Sequence, residues 1–111
     1  MGNKNVALVV GSSGIIGSAL VETLFATPDW TVRALRKTSI AGVEAIDCDL
    51  SDAHATRSAL AAASDTTHVF YAALKADPDL ARESDINTTM LRNVLDGLKL
   101  INHIKKSKDK N

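Results

Sequence analysis

The sequence predicts an α/β domain of three layers (αβα), in which a four-stranded parallel sheet lies between helices. Short runs of aliphatic and β-branched residues alternate along the chain with longer segments whose apolar residues recur every three or four positions. Segments of this length between strands are typical of the crossover helices that connect parallel strands. The chain has 111 residues, which is enough to bury one core but too few for two domains.

The four strands are predicted from apolar runs. Val6–Val10 is continuously aliphatic, as expected of a strand that is buried on both faces of a parallel sheet. Trp30–Leu35 predicts the second strand, Val43–Ile46 a short third strand, and His68–Ala73 a fourth. Each run has the length of a strand and is too short for a buried helix.

Two helices are predicted between these strands. The first covers Ile15–Ala26 and is ended by Pro28. Ser51 or Asp52 caps a second, alanine-rich helix that runs to about Ala63. The apolar residues of the first helix that recur at helical spacing are Ile16, Leu20 and Leu24.

A third, long helix is predicted to begin near Pro78. Its apolar residues form a stripe at helical spacing. The stripe consists of Ile86, Met90, Val94, Leu98 and Ile101, widened by Leu91 and Leu95. The segment Lys105–Asn111 carries four lysines and almost nothing apolar. We therefore predict a domain over residues 1–104 and a lysine-rich flexible tail, or frayed helix end, over residues 105–111.

Charge and cysteine content exclude several classes of function. The 13 basic residues balance 13 acidic residues, so the chain has no net field to hold nucleic acid or an anionic membrane. The single cysteine, Cys48, excludes an intramolecular disulfide, favours a reducing compartment and is expected to be a small buried residue. The apolar stretch near the N-terminus is too short for a signal peptide or a membrane span. We therefore expect a cytoplasmic protein.

Three glycines follow the first strand at the spacing G-x-x-G-x-x-G, as Gly11, Gly14 and Gly17. A tight turn, close approach of the backbone to a pyrophosphate, and close packing of helix on sheet each require a residue without a side chain. The free amides at the helix start would face the phosphates, and Ser12 and Ser13 would add hydroxyl donors. The position between a strand and a helix favours a Rossmann-type dinucleotide site over the alternative, a purely structural turn. The predicted cofactor-binding residues of this turn are Gly11, Ser12, Ser13, Gly14, Ile15, Ile16 and Gly17.

The end of the second strand predicts which dinucleotide is bound. An acidic residue there would bind the adenosine ribose, whereas a basic residue would meet a 2′-phosphate. The sequence has Arg36 and Lys37 at this position and no carboxylate, which favours NADP(H) over NAD(H). The alternative is that these two side chains only solubilise a loop.

The segment after the third strand offers a base-binding residue. The carboxylate of Asp49 could accept a hydrogen bond from the adenine amino group while Leu50 packs against the ring. The alternative role of this segment is capping of the second helix by Ser51 or Asp52, and the two roles are compatible.

No catalytic or metal-ligating set is predicted. Tyr71 and Lys75 match the pattern Tyr-x-x-x-Lys, in which a lysine lowers the pKa of a catalytic tyrosine, but that chemistry needs both side chains on one helix face. Tyr71 instead ends a predicted strand, where four residues span about 13 Å. The histidines have no spacing typical of metal ligation. They are His54, His68 and His103.

These residues resemble the extended short-chain dehydrogenase/reductases, and most closely the progesterone 5β-reductase and iridoid synthase (PRISE-like) group. The resemblance implies the strand order 3-2-1-4 and NADP(H) binding, with Tyr71, Ala72 and Ala73 beside the ribose on the nicotinamide side. It also assigns Asn87 to helix packing and not to catalysis. The matching stretches are Val6–Gly11 with Gly14 and Gly17, Trp30–Val32 with Arg36 and Lys37, Cys48–Asp52, Thr67–Tyr71 and Met90–Leu95.

The family pattern continues beyond this sequence, into a fifth strand with a Thr-Gly-x-Lys segment, a catalytic tyrosine and a substrate-binding lid. We therefore expect an NADP(H)-binding domain that is truncated relative to the family and has no catalytic activity alone. The alternatives are a non-catalytic interaction or dinucleotide-sensing module, and a truncated gene product. The fourth strand would form an apolar edge, so we expect a homo-oligomer or a partner chain at that edge.

Overall fold

The computed structural model describes residues 5–12, 14–35 and 42–109, and these residues form four strands and three helices. All neighbouring strands are parallel, and the sheet order is β3-β2-β1-β4, as predicted. The strands are β1 (Asn5–Val10), β2 (Trp30–Leu35), β3 (Glu44–Ile46) and β4 (His68–Tyr71), and the helices are α1 (Ile15–Phe25), α2 (Ala53–Ala62) and α3 (Leu80–Asp109).

Strand β1 is the buried centre of the sheet. It pairs with β2 on one side and β4 on the other, and Val10 is in register with both Leu35 and Tyr71. Strand β4 ends at Tyr71, two residues before the predicted end at Ala73. The reason is that β1 ends at Val10, so the last bond of this pairing runs from the Ala72 amide to the Val10 carbonyl, at 2.8 Å.

Helix α1 packs on β1 and β2 through Gly17 and Val21. Ile16 is one of the apolar residues that recur at helical spacing in the sequence, but its side chain is 69% exposed and does not contribute to this packing. The close fit of Gly17 against the turn after β1 sets the orientation of the helix and turns the preceding residue outward. The core of this region consists of Val9, Val21, Val32 and Ala34.

The contacts divide the chain into two compact units. The first contains the whole sheet and α1, and the second contains residues 48–64 and the chain from Lys75 onward, with α2 and α3. In the first unit, Arg33 of β2 forms ion pairs with Glu44 of β3 and with Asp65. The hydrogen bond with Asp65 is the main cause that raises the pKa of the Arg33 guanidinium. At the start of β2, the rings of Trp30 and His68 pack against each other at a tilted angle, with centroids 5.0 Å apart.

In the second unit, α2 and α3 pack on each other. Asp52 caps α2 by accepting a 3.1 Å hydrogen bond from the Ala55 amide, so the second of the two predicted caps is confirmed. The helices approach closely at Gly97, where a Cβ would lie 2.6 Å from a methyl carbon of Leu60.

Helix α3 buries Met90 and Val94, as predicted from its stripe. The prediction that Leu91 and Leu95 widen the buried stripe is wrong, since they are 40% and 48% exposed. The buried face continues through Gly97 instead, because a glycine at a helix crossing needs no large neighbours to fill the contact. The helix begins at Leu80 and includes the first five residues of the predicted tail.

Candidate functional site

The turn after β1 requires glycine at position 11 for two independent reasons. Gly11 has a φ of +87°, in the left-handed region that side chains disfavour. A Cβ on Gly11 would also lie 2.5 Å from the Cα of Ala73 and 2.8 Å from the carbonyl carbon of Ala72. The turn therefore passes directly against the end of β4, and the structure brings Gly11 together with the predicted site residues Ala72 and Ala73.

Gly17 also has no room for a side chain. A Cβ there would overlap the carbonyl oxygen of Gly11 and lie 3.0 Å from the Cα of Ser12. The first turn of α1 consequently rests on the backbone of the turn that precedes it. This contact fixes the direction of the helix N-terminus.

Gly14 differs from the other two glycines. It is exposed, its backbone angles (φ −80°, ψ 174°) suit any residue, and a Cβ would meet only the Gly11 oxygen, at 3.9 Å. The fold itself therefore does not require glycine at this position. Because Gly14 has no Cβ, the space next to its backbone at the helix N-terminus is open, which suits a ligand that approaches the backbone closely.

The N-terminus of α1 has the electrostatics of an anion site. Gly14 is the N-cap residue and has no side chain with which to accept bonds from the first-turn amides. The first turn contains no acidic residue, so the positive end of the helix dipole is not neutralised there. The side chains of Ile15 and Ile16 are exposed at this end of the helix.

The other predicted phosphate and ribose ligands are placed less favourably or not described. The Ser12 hydroxyl is buried and donates to the Leu35 carbonyl at 3.4 Å, so it points to the backbone of β2. Ser13, Arg36 and Lys37 lie outside the described residues. The NADP(H) preference inferred from the basic pair stays a prediction.

The segment after β3 is held in shape by side-chain hydrogen bonds. The Asp49 carboxylate accepts bonds from the Ser51 amide at 3.0 Å and from the Ser51 hydroxyl at 2.6 Å. The buried hydroxyl of Thr56 donates to the Asp52 carbonyl at 2.8 Å. Asp49 is exposed, whereas Leu50 is 2% exposed, which leaves little of its side chain available to pack against a base.

Two asparagines of α3 hold the segments that follow β3 and β4, and the sequence did not predict either bond. The Asn93 side-chain amide donates to the Leu50 carbonyl at 2.8 Å. The Asn87 side chain accepts from the Lys75 amide at 2.8 Å and donates to the Lys75 carbonyl at 2.9 Å. Asn87 therefore fixes a loop in addition to lying on the helix. The signal in the sequence that could have indicated these bonds is that Asn87 and Asn93 border the apolar stripe of the third helix.

Tyr71 is at the end of β4, as predicted, and Lys75 lies in the loop before α3. The two residues therefore lack the helical spacing that a catalytic Tyr-x-x-x-Lys pair needs. The Tyr71 hydroxyl oxygen is buried and has no hydrogen-bond partner among the described residues. Burial raises the pKa of this phenol.

The remaining reactive side chains do not form a site in the part of the chain that the structure describes. Cys48 is buried, as predicted. No group of three or more histidine, cysteine or acidic side chains is placed to hold a metal ion within residues 5–12, 14–35 and 42–109. Within the same residues, none of the helices has both the length and the apolar character that crossing a membrane requires.

Comparison with known proteins places this geometry in a family. The model of the NAD dependent epimerase/dehydratase family matches residues 7–111. The chain is 39% identical over 105 residues to a 3-oxo-Delta(4,5)-steroid 5-beta-reductase of Arabidopsis thaliana. It is 36% identical over 105 residues to an (S)-8-oxocitronellyl enol synthase of Camptotheca acuminata. Both alignments cover 86% of this chain and 27% of the relative, so the chain spans about a quarter of the length of the curated relatives it matches.

A solved structure shares the fold. A short chain dehydrogenase from Burkholderia cenocepacia J2315, in complex with NADP, matches with a TM-score of 0.73 and 25% identity. The match covers 89% of this chain and 48% of that chain. The family match and the sequence relatives confirm the predicted resemblance to extended short-chain dehydrogenase/reductases.

Proposed function

Because this chain belongs to the NAD dependent epimerase/dehydratase family, we propose that it binds a nicotinamide dinucleotide, and NADP(H) in preference to NAD(H). The observation that carries this proposal is Gly14, a glycine that the fold does not require at the uncapped N-terminus of α1. The family description names NAD, and one structural neighbour holds NADP. When bound, the cofactor would supply a hydride.

In this proposal the first-turn amides of α1 bind the pyrophosphate. Arg36 and Lys37 bind the 2′-phosphate, and Asp49 accepts a hydrogen bond from adenine. Tyr71, Ala72 and Ala73 border the ribose next to the nicotinamide, in agreement with the sheet order, in which β4 and β2 flank β1 on opposite sides. The adenosine half of a dinucleotide belongs to the β2 side of such a sheet.

Calorimetric titration of the chain with NADPH and NADH tests the proposal. We expect saturable binding of both cofactors, with the tighter binding for NADPH. Absence of binding at millimolar cofactor would reject a dinucleotide-binding role and favour the alternative of an interaction module without a nucleotide.

The cofactor preference has its own test. Replacing Arg36 and Lys37 by alanine should weaken NADPH binding about ten-fold or more, because a charge-assisted contact to the 2′-phosphate is lost, and should change NADH binding little. The variant Arg92→Ala with Lys99→Ala removes the same charge from exposed positions of α3 and serves as the control. Equal losses for NADPH and NADH would contradict the assignment.

We further propose that this chain has the ancestry of an NADPH-dependent enone reductase and acts in the cytoplasm. The chain alone would have no turnover, since Tyr71 and Lys75 lack the geometry of a catalytic pair. NADPH consumption in the presence of a 3-oxo-Δ4 steroid is the measurement, and the expected rate equals that without protein. Measurable turnover would show that this chain contains a catalytic set and would contradict the proposed inactivity.

The exposed edge of β4 supports a proposal about partners. Within the described sheet β4 pairs only with β1, and Val69 and Leu74 are 38% and 75% exposed. We propose that the chain associates with a second copy or another chain along this strand. Sedimentation should show an oligomer that Val69→Lys converts to monomer; a sharp monomer for the unmodified chain would contradict it.

A further inference from the structure

We infer that Asn93 is a positioning residue for the adenine half of the dinucleotide, although it lies 43 residues away in the sequence from the segment it holds. This inference rests on the proposed function and adds a residue to it. Asn93 donates its side-chain amide to the Leu50 carbonyl at 2.8 Å, and the residue immediately before Leu50 is the proposed adenine ligand, Asp49.

Asn93 is the principal donor to this carbonyl. The Thr56 hydroxyl also approaches the Leu50 oxygen, at 3.4 Å, but it lies closer to the Asp52 oxygen, at 2.8 Å. A hydroxyl has one proton to donate, so the shorter contact takes it. Without Asn93 the Leu50 carbonyl would lose its direct 2.8 Å donor.

The anchor is rigid on both sides of the bond. Asn93 lies on α3 next to Val94, which is buried, and the Leu50 side chain is buried as well. The exposed Asp49 is thus attached to a fixed residue, and its carboxylate is oriented by the two bonds from Ser51. Because these bonds already hold Asp49 in place, a ligand that binds it loses less affinity to the ordering of this segment.

Asn87 provides a matched comparison on the same helix. Its side chain binds the backbone of Lys75, after β4, and the Glu83 carbonyl at 2.8 Å. It has the same chemistry and loop-holding role as Asn93, but on the segment that follows a different strand. If each asparagine acts locally, only Asn93 affects recognition of adenine.

The experiment measures binding of adenosine 2′,5′-bisphosphate, which contains no nicotinamide, to the whole chain by calorimetry. Asn93→Ala and Asn93→Asp should each raise the dissociation constant about ten-fold, because the bond that orders the segment carrying Asp49 is lost. Asn87→Ala and the surface control Arg92→Ala should change it less than about two-fold. Melting curves of all four variants separate an effect on stability from an effect on affinity.

A purely structural Asn93 would lower the melting temperature and leave the fragment affinity of the folded protein unchanged, which would overturn the inference. An equal loss in Asn87→Ala would also overturn it.

If the Asn93 variants do not fold, NMR of the unmodified chain decides: the fragment should shift the side-chain NH₂ resonances of Asn93 and leave those of Asn87 in place. The reverse pattern, or no shift at Asn93, rejects the inference. Failure of the unmodified chain to bind NADPH rejects the proposed function, and this inference with it; NADPH binding without fragment binding rejects only the inference.

Discussion

The turn after β1 and the segment after β3 both lead from a strand to a helix, but they are held in shape by opposite means. The turn is defined by side chains that are missing, since Gly11 and Gly17 have no room for a Cβ. The segment is defined by side chains that are present and bonded, with Asp49 and Thr56 bonding to nearby groups and Asn93 reaching it from α3. Packing shapes the first region, and polar bonds shape the second.

This difference suits two kinds of recognition. In the turn, the amides at the start of α1 are not used by a capping side chain, so they can receive an anion. In the segment after β3, the polar groups hold one another, which keeps an exposed carboxylate in a fixed place. Phosphate requires available donors, whereas a base requires a side chain at a defined position.

The largest effect is expected at Gly11, where a substitution tests whether packing shapes the turn after β1. Gly11→Ala should lower the free energy of unfolding by about 3 kcal/mol or more, because it combines a positive φ with overlap at Ala73. The measurement is urea denaturation followed by circular dichroism. Gly14→Ser is the control: its stability should change by less than about 0.5 kcal/mol because serine is a good N-cap, while NADPH binding should weaken. A loss below about 1 kcal/mol for Gly11→Ala would contradict a turn shaped by packing.

A smaller effect is expected in the bonded segment. Thr56→Val keeps the shape of a fully buried side chain but removes the donor to the Asp52 carbonyl, at a cost of about 1–2 kcal/mol in unfolding free energy. Thr89→Val, at an exposed position of α3, should cost less than about 0.5 kcal/mol. Equal values for the two variants, measured by the same denaturation, would show that the hydroxyl does not hold this segment.

The smallest effect at neutral pH is expected at Tyr71, whose buried hydroxyl has no partner in the described residues. Tyr71→Phe should leave the stability within about 0.5 kcal/mol of the original or raise it slightly, since no bond is lost.

The stabilities of the unmodified chain and of Tyr71→Phe should differ in alkaline solution. Burial raises the pKa of Tyr71 above the value of about 10 that the unfolded chain has, so the native state holds its proton longer. Below the pKa of the unfolded chain, Tyr71 is protonated in both states and contributes no pH dependence to the free energy of unfolding. As the pH rises from the unfolded pKa to the folded pKa, the unfolded state loses this proton first, and the free energy of unfolding falls. Denaturation midpoints on both sides of pH 10 should show this fall in the unmodified chain and less of it in Tyr71→Phe. Because the chain has a single tyrosine, its phenolate absorbance gives the folded pKa directly.

The comparison also explains how far the sequence could be interpreted. The strands and the glycine turn were predictable because they depend on local patterns: a continuous apolar run at β1, and glycines spaced for a strand-to-helix turn. The strand order is not contained in such patterns and was predicted from the family resemblance alone. Asn93 was not predictable, since its bond to Leu50 joins segments far apart in the chain. The outward position of Ile16 depends on how Gly17 meets the Gly11 backbone, and periodicity alone does not contain that contact.

The contact between the rings of Trp30 and His68 gives the protein an optical reporter of its own. The chain has one tryptophan, and it begins β2, while His68 begins β4, on the far side of β1. Phe70 lies on the same indole at a centroid distance of 6.3 Å. Indole emission therefore depends on two strands keeping their register with the strand between them, so fluorescence follows the integrity of the whole sheet without an added label.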